Sequence, residues 1–433
     1  MIEKINKIRG NKELLDTILV GGATLFGSVF SYLLQFVLGR KLSVSDYGTF
    51  NALLSLSSIV GVFAGVLGTA LIKVNAEIYA KKDSQKLKSL FVKSVKFSVI
   101  VGFISFLIVF SLREFISNYM NIGDSFLVTL FGVSVGLGFL LIIPNSYLQG
   151  TQEFKKYSVF HILSLFLRFI FPTVLVFLGL GLRGVYLAGP VASIITFLIG
   201  FLILDIKLKN LTIEDVSGSV KKIFSFASTV VLVNFSLMAL NNVDLIMVKK
   251  YFDPTDAGYY AGTVTLGKIL LFGAGAVSVV MFPKITALHA SGKDFGKSLK
   301  KLLSLLIIVL VTGVLCYQIF PGLITRLFFG KAFENSVKYL PLFSVFVAFY
   351  VLINFLVMFF LAIDKKKVGF LLLPGILIQY IGLNFFHGSL WEVINVNILV
   401  SVFILITLSV YFYFSVSKMK KKELEITPVD PLV

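Results

Sequence analysis

Long apolar segments dominate this chain of 433 residues. Twelve windows of about 20 predominantly apolar residues have the length that crosses the hydrocarbon core of a bilayer. Only 14% of all residues are charged, whereas a soluble domain typically has roughly 25%. Because backbone groups in a bilayer must be satisfied within the segment, each window is predicted to be a helix. The predicted fold class is therefore an all-α integral membrane protein with twelve transmembrane helices. The windows run near 14–38, 48–72, 91–112, 125–148, 158–180, 184–206, 223–249, 258–282, 300–320, 338–363, 367–387 and 391–416.

The distribution of positive charge predicts the orientation. The N-terminus, the loops after every second span and the C-terminal tail together hold 29 Lys and Arg residues, and the opposite loops hold 9. Basic loops are retained in the cytoplasm, so both termini are predicted to be cytoplasmic and the protein to lie in the cell membrane. The net charge of +18 is then a consequence of topology. A nucleic-acid partner is not expected, because no soluble domain is available to bind one.

An internal repeat predicts the domain organisation. The segment VLGRKLSVSDYGTF at 37–50 is echoed by MVKKYFDPTDAGYY at 247–260, at an offset of 210 that places Arg40 on Lys250 and Asp46 on Asp256. With one inserted residue, Lys73 is matched to Lys284. Both copies lie on the predicted outer side, so the pattern predicts two six-helix lobes related by a parallel pseudo-two-fold repeat. The predicted parts are an N-terminal lobe at 1–206, a linker at 207–222, a C-terminal lobe at 223–416 and a tail at 417–433.

Charged residues in the middle of spans are the first candidates for function, because burial in a bilayer is costly without a cavity or a partner. Arg168 lies in the fifth span, where helical spacing places His161, Ser164 and Pro172 on the same face. Lys268 lies in the eighth span and Asp244 in the seventh. The two cations are candidate ligands for an anionic substrate. The alternative is a structural ion pair with Asp244 as the partner, and Asp244 alone also has a structural interpretation.

Large polar amides in the spans are the second group of candidates. Gln35, Asn51 and Asn241 are expected to line a cavity, whereas the serines and threonines beside them are also explained by helix packing. Arg40 and Lys250, together with Asp46 and Asp256, occupy equivalent positions in the two halves and are expected to act as gate or lobe contacts. No catalytic residue is predicted. Gly262–Lys268 matches most of a nucleotide-binding loop, but it lies in a span and Ile269 replaces the required Ser or Thr, so no ATPase is expected. Three scattered histidines and one cysteine predict no metal site.

The sequence resembles the multidrug/oligosaccharidyl-lipid/polysaccharide (MOP) flippase superfamily, in its polysaccharide branch. The likeness is in Gly39–Leu42 followed by Asp46, Tyr47 and Gly48, and in the second half in Asp244 followed by Asp256–Tyr260. This resemblance implies a MATE-like pair of six-helix bundles that moves a lipid-linked oligosaccharide from the cytoplasmic to the outer leaflet. The lipid II flippase branch usually has fourteen spans, and only twelve are predicted here.

These observations together predict a flippase for a polyprenyl-(pyro)phosphate-linked oligosaccharide, used in the assembly of a cell-surface polysaccharide or glycoconjugate. Arg168 and Lys268 are expected to bind the phosphates, and Gln35, Asn51, Asn241 and Asp244 to contact sugar or a coupling cation, H⁺ or Na⁺. No other cofactor is expected. The expected partners are the lipid-linked oligosaccharide, membrane lipids and glycosyltransferases or a polymerase of the same pathway, and the protein is expected to be a monomer. The alternatives are an ion-coupled drug/cation antiporter of the same superfamily and a membrane-embedded glycosyltransferase or polysaccharide polymerase.

Overall fold

The computed structural model describes residues 12–204 and 214–426, with side chains described except at 12–14, 17–18, 226, 229 and 416–426. The predicted N-terminal segment before residue 12, the linker residues 207–213 and the tail residues 427–433 lie outside the described residues. Within the described ranges the chain is helical, with no strand. In chain order the helices are α1 (Lys12–Lys41), α2 (Val44–Ala80), α3 (Ser84–Ser111), α4 (Arg113–Tyr119), α5 (Ser125–Gly150), α6 (Phe154–Phe177), α7 (Gly181–Ile203), α8 (Ser217–Leu240), α9 (Val243–Tyr251), α10 (Pro254–Ala290), α11 (Gly296–Ile319), α12 (Pro321–Phe329), a 3-10 helix (Lys331–Ser336), α13 (Leu340–Ala362), α14 (Val368–Phe385) and α15 (Leu390–Ile426).

The number of spans agrees with the hydropathy pattern. Eleven of the described helices are long and apolar enough to cross a membrane, and a bent pair in α8, Ser217–Ser225 and Val230–Leu240, makes up to twelve. The all-α membrane fold class is therefore confirmed. The seventh span differs in detail from the predicted 223–249, because α8 bends by 43° and ends at Leu240 before α9 begins. The segment Gly262–Lys268 lies inside α10, not between a strand and a helix.

The helix order of the first half recurs in the second. The second span of each half, α2 and α10, has 37 residues, and the third span is followed in each half by a short helix, α4 or α12. α2 ends at Ala80 and α10 at Ala290, which preserves the offset of 210 through the whole helix. The extra residues of the second half therefore lie in the turn after Ala290. The match of Lys73 to Lys284 is wrong by one residue, since helix register aligns Lys73 with Pro283.

Short polar side chains define where several helices begin. Ser43 caps α2 by accepting a hydrogen bond from the backbone N–H of Asp46 (3.1 Å). Asp83 caps α3 through the N–H of Lys86 (3.0 Å), and Asp124 caps α5 through the N–H of Phe126 (3.1 Å). Each cap satisfies one of the N–H groups that have no partner in the first helical turn. Reversal between spans therefore needs only a few residues.

The chain forms two compact units. Unit 1 comprises Met1–Phe235, Leu245–Gly262 and Arg326–Glu334, and unit 2 comprises Ser236–Asp244, Thr263–Thr325 and Asn335–Val433. Unit 1 thus includes three stretches that the sequence assigns to the second lobe, 223–235, 245–262 and 326–334. The predicted lobe boundaries stay predictions.

Each unit is built around one central helix. In unit 1, α5 packs against α2, α3, α6 and α7. It approaches α3 so closely that a Cβ on Gly102 would clash with the carbonyl oxygen of Gly136. In unit 2, α13 packs against α11, α14 and α15, and its buried side chains include Phe355 and Phe360. These tightly packed helices support the side chains considered next.

Candidate functional site

Arg168 lies on the polar side of α6 within unit 1. Phe177 is nine residues further along, or two and a half turns at 3.6 residues per turn, and therefore occupies the opposite face. Phe177 and Val159 are both strongly exposed apolar side chains, which identifies their face as the one turned toward lipid. The exposed Arg168 side chain thus points away from the lipid-facing stripe. Within the described residues its guanidinium forms no hydrogen bond or ion pair, so its donors are available to a ligand.

The face of α1 beside α6 is also polar. Thr24 and Ser28 donate their hydroxyl protons to the carbonyls of Val20 and Thr24 in their own helix (both 2.9 Å). Because these hydroxyls are satisfied locally, they need no partner from another helix and can still accept hydrogen bonds. The exposed apolar residues Leu25, Val29 and Leu33 lie on a different face of α1. Unit 1 therefore has a polar surface on α1 and α6 that is separate from its lipid-facing surface.

Gln35 and Asn51 are engaged with each other. The amide Nε2 of Gln35 donates to Oδ1 of Asn51 (3.2 Å), and Oε1 of Gln35 accepts from the hydroxyl of Tyr47 (2.7 Å). Asn51 in turn donates to the backbone carbonyl of Tyr47 (3.0 Å) and is buried. These bonds join α1 to α2. The predicted sugar contact at these two residues stays a prediction, and it requires that some of these hydrogen bonds exchange for bonds to a ligand.

Lys268 and Asp244 belong to one buried polar network in unit 2. The Lys268 ammonium donates to Oδ1 of Asn242 (3.0 Å) and interacts electrostatically with the Asp244 carboxylate. Asp244 is 1% exposed, and its Oδ2 accepts from Nδ2 of Asn397 (3.2 Å). Gln379 donates to Oδ1 of Asn397 (2.9 Å) and to the carbonyl of Leu240 (3.0 Å). The residues at the interruption between α8 and α9 thus lie at the centre of a network of charged and amide groups.

Sequence reasoning found part of this network. It selected Lys268 and Asp244, but it chose Asn241, which is half-buried, instead of its buried neighbour Asn242. It also missed Gln379 and Asn397, which are 1% and 0% exposed. The sequence could have identified both residues, because they are large amides in otherwise apolar spans. Burying an amide in a bilayer costs free energy unless the amide is hydrogen-bonded.

Arg40 contacts the second half of the sequence. Its guanidinium donates to the carbonyls of Leu327 (2.7 Å) and Phe328 (3.2 Å), in the last turn of α12, where helix carbonyls have no partner of their own. A cation at a helix C-terminus is also favoured by the helix dipole. The ring of Tyr47 packs edge-on against Phe329 at 5.3 Å between centroids. The end of α1 is thus bound to α12 within unit 1.

The equivalent residue Lys250 makes the reciprocal contact. Its ammonium lies 4.7 Å from the ring centroid of Tyr119, at the end of α4, and donates to the hydroxyl of Tyr251 (2.8 Å). Asn121 donates to the Lys250 carbonyl (2.8 Å). Tyr119 and Phe329 are themselves related by the offset of 210. In both halves, therefore, the basic residue after the first span contacts the short helix that follows the third span of the other half.

The two acidic positions of the repeat differ in environment. Asp46 is half-buried and its carboxylate interacts electrostatically with Lys249, a lysine that is only 1% exposed and donates to the Asn121 carbonyl (3.3 Å). Asp256 is exposed in the first turn of α10. Close by, α2 and α10 meet at glycines, since a Cβ on Gly48 would lie 2.8 Å from the backbone nitrogen of Gly258. The gate role of these positions stays a prediction, and Lys249 is a further residue that the sequence did not single out.

Metal chemistry has no candidate in this part of the chain. Among residues 12–204 and 214–426, no group of three or more His, Cys, Asp or Glu side chains is arranged to hold a metal ion.

Comparison with known families gives one match, to a model described as "Polysaccharide biosynthesis protein", over residues 37–338. Among curated protein sequences, none matches this chain. Solved structures do match. An inward-facing MATE multidrug resistance transporter of the MOP superfamily has a TM-score of 0.71 and 15% identity, with 92% of this chain and 96% of that chain covered. The lipid II flippase MurJ in an inward closed conformation has a TM-score of 0.70 and 18% identity, covering 92% and 87%. A MOP superfamily transporter from Pyrococcus furiosus, described as having a binding pocket of reverse polarity, has a TM-score of 0.55 and 14% identity, covering 95% and 96%.

Proposed function

This chain belongs to the polysaccharide biosynthesis protein family and has the fold of MOP superfamily transporters, and on that premise we propose that it is a flippase for a lipid-linked oligosaccharide. The cargo is a polyprenyl (pyro)phosphate glycolipid, carried from the cytoplasmic to the outer leaflet by alternating access for surface polysaccharide or glycoconjugate assembly. The protein acts in the cell membrane as a monomer with both termini cytoplasmic, beside glycosyltransferases or a polymerase of the same pathway.

The observation that carries this proposal is the position of Arg168. A phosphorylated head group must cross about 30 Å of hydrocarbon, which is prohibitive for a bare anion. A guanidinium forms charge-assisted, bidentate hydrogen bonds to phosphate. Arg168 is exposed on the polar side of α6, and the neighbouring α1 hydroxyls suit the sugars of the same ligand. Lys268 in unit 2 supplies the second cation.

The alternative of a drug/cation antiporter requires acidic residues to attract its cargo. The cations Arg168 and Lys268 favour the anionic glycolipid instead. Because MATE transporters and MurJ match the fold equally well, the charge of the site is the discriminating feature.

Coupling to a cation is proposed at Asp244. A buried carboxylate that belongs to a network with the side-chain amides of Asn242, Gln379 and Asn397 suits H⁺ or Na⁺. Lys268 interacts with this carboxylate. When a phosphate of the cargo attracts the lysine, Asp244 loses this positive charge, and the coupling cation replaces it. Anion binding and cation binding are thereby linked through a single side chain. Under this proposal, an Asp244→Asn variant retains glycolipid binding and loses the dependence of transport on an ion gradient.

The experiment is outer-leaflet delivery of glycolipid in cells that depend on this protein. The test variant is Arg168→Gln combined with Lys268→Gln, and the matched control is Arg183→Gln combined with Lys293→Gln, which removes the same charges from exposed positions. The test variant should accumulate glycolipid in the inner leaflet at normal protein levels, and the control should not. Unchanged delivery by the test variant would refute the assigned role. Shortened polysaccharide chains without trapped glycolipid would indicate a polymerase instead.

A further inference from the structure

A cavity of about 90 Å³ lies between four helices of unit 1, and Arg168 is not among its lining residues. Its walls come from α2, α3, α5 and α8, and several wall residues are themselves buried, including Leu90 and Ile223. This space is large enough for a segment of one lipid acyl chain. The lining residues are Leu67, Leu71, Leu90, Lys93, Ser94, Phe97, Ser98, Phe139, Ile142, Val220, Ile223 and Phe224.

Charge is confined to one end of this cavity. On α3 the lining residues Leu90, Lys93 and Phe97 follow helical spacing, and Lys86 lies seven residues before Lys93 on the same face. Both lysines interact with the carboxylate of Asp215, just before α8. Glu214 before Asp215 is balanced by Lys221 in α8, so the two lysines outnumber the remaining carboxylate and leave a net positive charge. The lysines are near the start of α3, at the side predicted to be cytoplasmic, and the apolar lining continues toward the bilayer centre.

We propose that this cavity binds an anionic phospholipid of the cytoplasmic leaflet, with a segment of one acyl chain inside and the phosphate at Lys93 and Lys86. The basic end of the cavity is complementary in charge to an anionic lipid head group, and its apolar interior suits a hydrocarbon chain. Basic pockets between transmembrane helices on the cytoplasmic side are suited to such head groups. The proposal uses the predicted orientation of the chain but does not depend on the identity of the transported cargo.

The bound lipid would stabilise the packing of α8. Ile223 and Val216 belong to the same buried cluster as Leu71 and Leu90 of α2 and α3, and the cavity lies against this cluster. α8 begins at Ser217, within the predicted linker 207–222, and continues into the second half of the sequence. A lipid chain in the cavity would fill the space beside Phe224 and so hold the start of α8 against the first-half helices.

Native mass spectrometry of the purified full-length protein tests the proposal, with phosphatidylglycerol as the anionic probe and phosphatidylcholine as the neutral one. Wild type should retain phosphatidylglycerol selectively. Lys93→Gln should weaken its binding about fivefold, the effect of one lysine near an anionic head group, and Ser94→Phe should fill the cavity and reduce binding of both lipids. Lys96→Gln is the matched control, because Lys96 is on the same helix outside the lining. Thermal unfolding in lipid-free detergent checks that each variant is folded.

Three results would overturn the proposal. The first is equal retention of phosphatidylglycerol by wild type and by a Lys86→Gln, Lys93→Gln double variant. The second is equal retention of the anionic and neutral lipids by wild type. The third is displacement of phosphatidylglycerol by a polyprenyl phosphate that binds more tightly and is equally sensitive to Lys93→Gln, which would assign the cavity to the cargo.

Discussion

The buried network around Asp244 makes a quantitative prediction about stability. Replacing Asn397 by Leu keeps the number and branching of the side-chain heavy atoms at a position that is 0% exposed, but removes two hydrogen bonds. Asp244 loses a donor to its carboxylate, which costs about 1–3 kcal/mol for a buried group. Gln379 loses one of its two acceptors and keeps the Leu240 carbonyl, which costs about 1 kcal/mol. Asn397→Leu should therefore lower the free energy of unfolding by about 2–4 kcal/mol.

A matched control is available on the neighbouring helix. Asn384 donates to the carbonyl of Tyr380 in its own helix (2.7 Å) at a less buried position. Asn384→Leu should change stability by less than about 1 kcal/mol, because the lost bond is replaced by local contacts and Leu has the higher helix propensity. Reversible unfolding in mixed micelles with increasing SDS provides the measurement.

A second variant separates charge from packing. Asp244→Asn should cost less stability in the Asn397→Leu background than in wild type, since the carboxylate has already lost the Asn397 donor there while the loss of its interaction with Lys268 is common to both backgrounds. Two results would refute this account: Asn397→Leu being no more destabilising than Asn384→Leu, or Asp244→Asn costing the same stability in both backgrounds.

Three further predictions concern other parts of the chain. Gly258→Ala should block glycolipid delivery in the cellular assay, because the added Cβ would clash with the backbone of α2. Gly275→Ala is the control on the same helix: its Cβ would enter open space, and delivery should be unchanged. Arg40→Gln removes hydrogen bonds to the end of α12. In a Lys331→Cys variant that has no other cysteine, it should increase labelling by an impermeant thiol reagent roughly two- to tenfold, and unchanged labelling would contradict the predicted gate role of Arg40. Asp215 accepts two hydrogen bonds from the following turn, which lower its pKa below the usual range. The ionised carboxylate should therefore protect the first amides of α8 from hydrogen exchange at neutral pH. This protection should be lost only as the pH falls below about 4, where Asp215 becomes protonated. The Asp215→Asn variant should show no such transition.

Residue spacing predicted the features that depend on a single helix. The spans follow from apolar run length, and helical periodicity places Arg168 on the face of α6 opposite Val159 and Phe177. The repeat predicted that Arg40 and Lys250 would be equivalent. None of these inferences requires knowledge of which helices are neighbours.

The remaining features depend on contacts between distant segments. The pairing of Gln35 with Asn51 and the reciprocal contacts of Arg40 and Lys250 involve helices whose proximity no local pattern encodes. The same holds for Asn397, which meets Asp244 from 153 positions along the chain. The break between α8 and α9 was missed because apolar residues continue on both sides of it, and only the adjacent asparagines mark it.

The central claim is that cations within the membrane spans carry an anionic glycolipid head across the bilayer. The direct measurement is transfer in vesicles that contain purified protein and a polyprenyl-pyrophosphate oligosaccharide, with exposed sugar detected by an impermeant glycosidase. We predict gradient-dependent transfer by wild type and loss of transfer in the Arg168→Gln, Lys268→Gln variant. Transfer by that variant at the wild-type rate, or no transfer by wild type under either an H⁺ or a Na⁺ gradient, would contradict the claim.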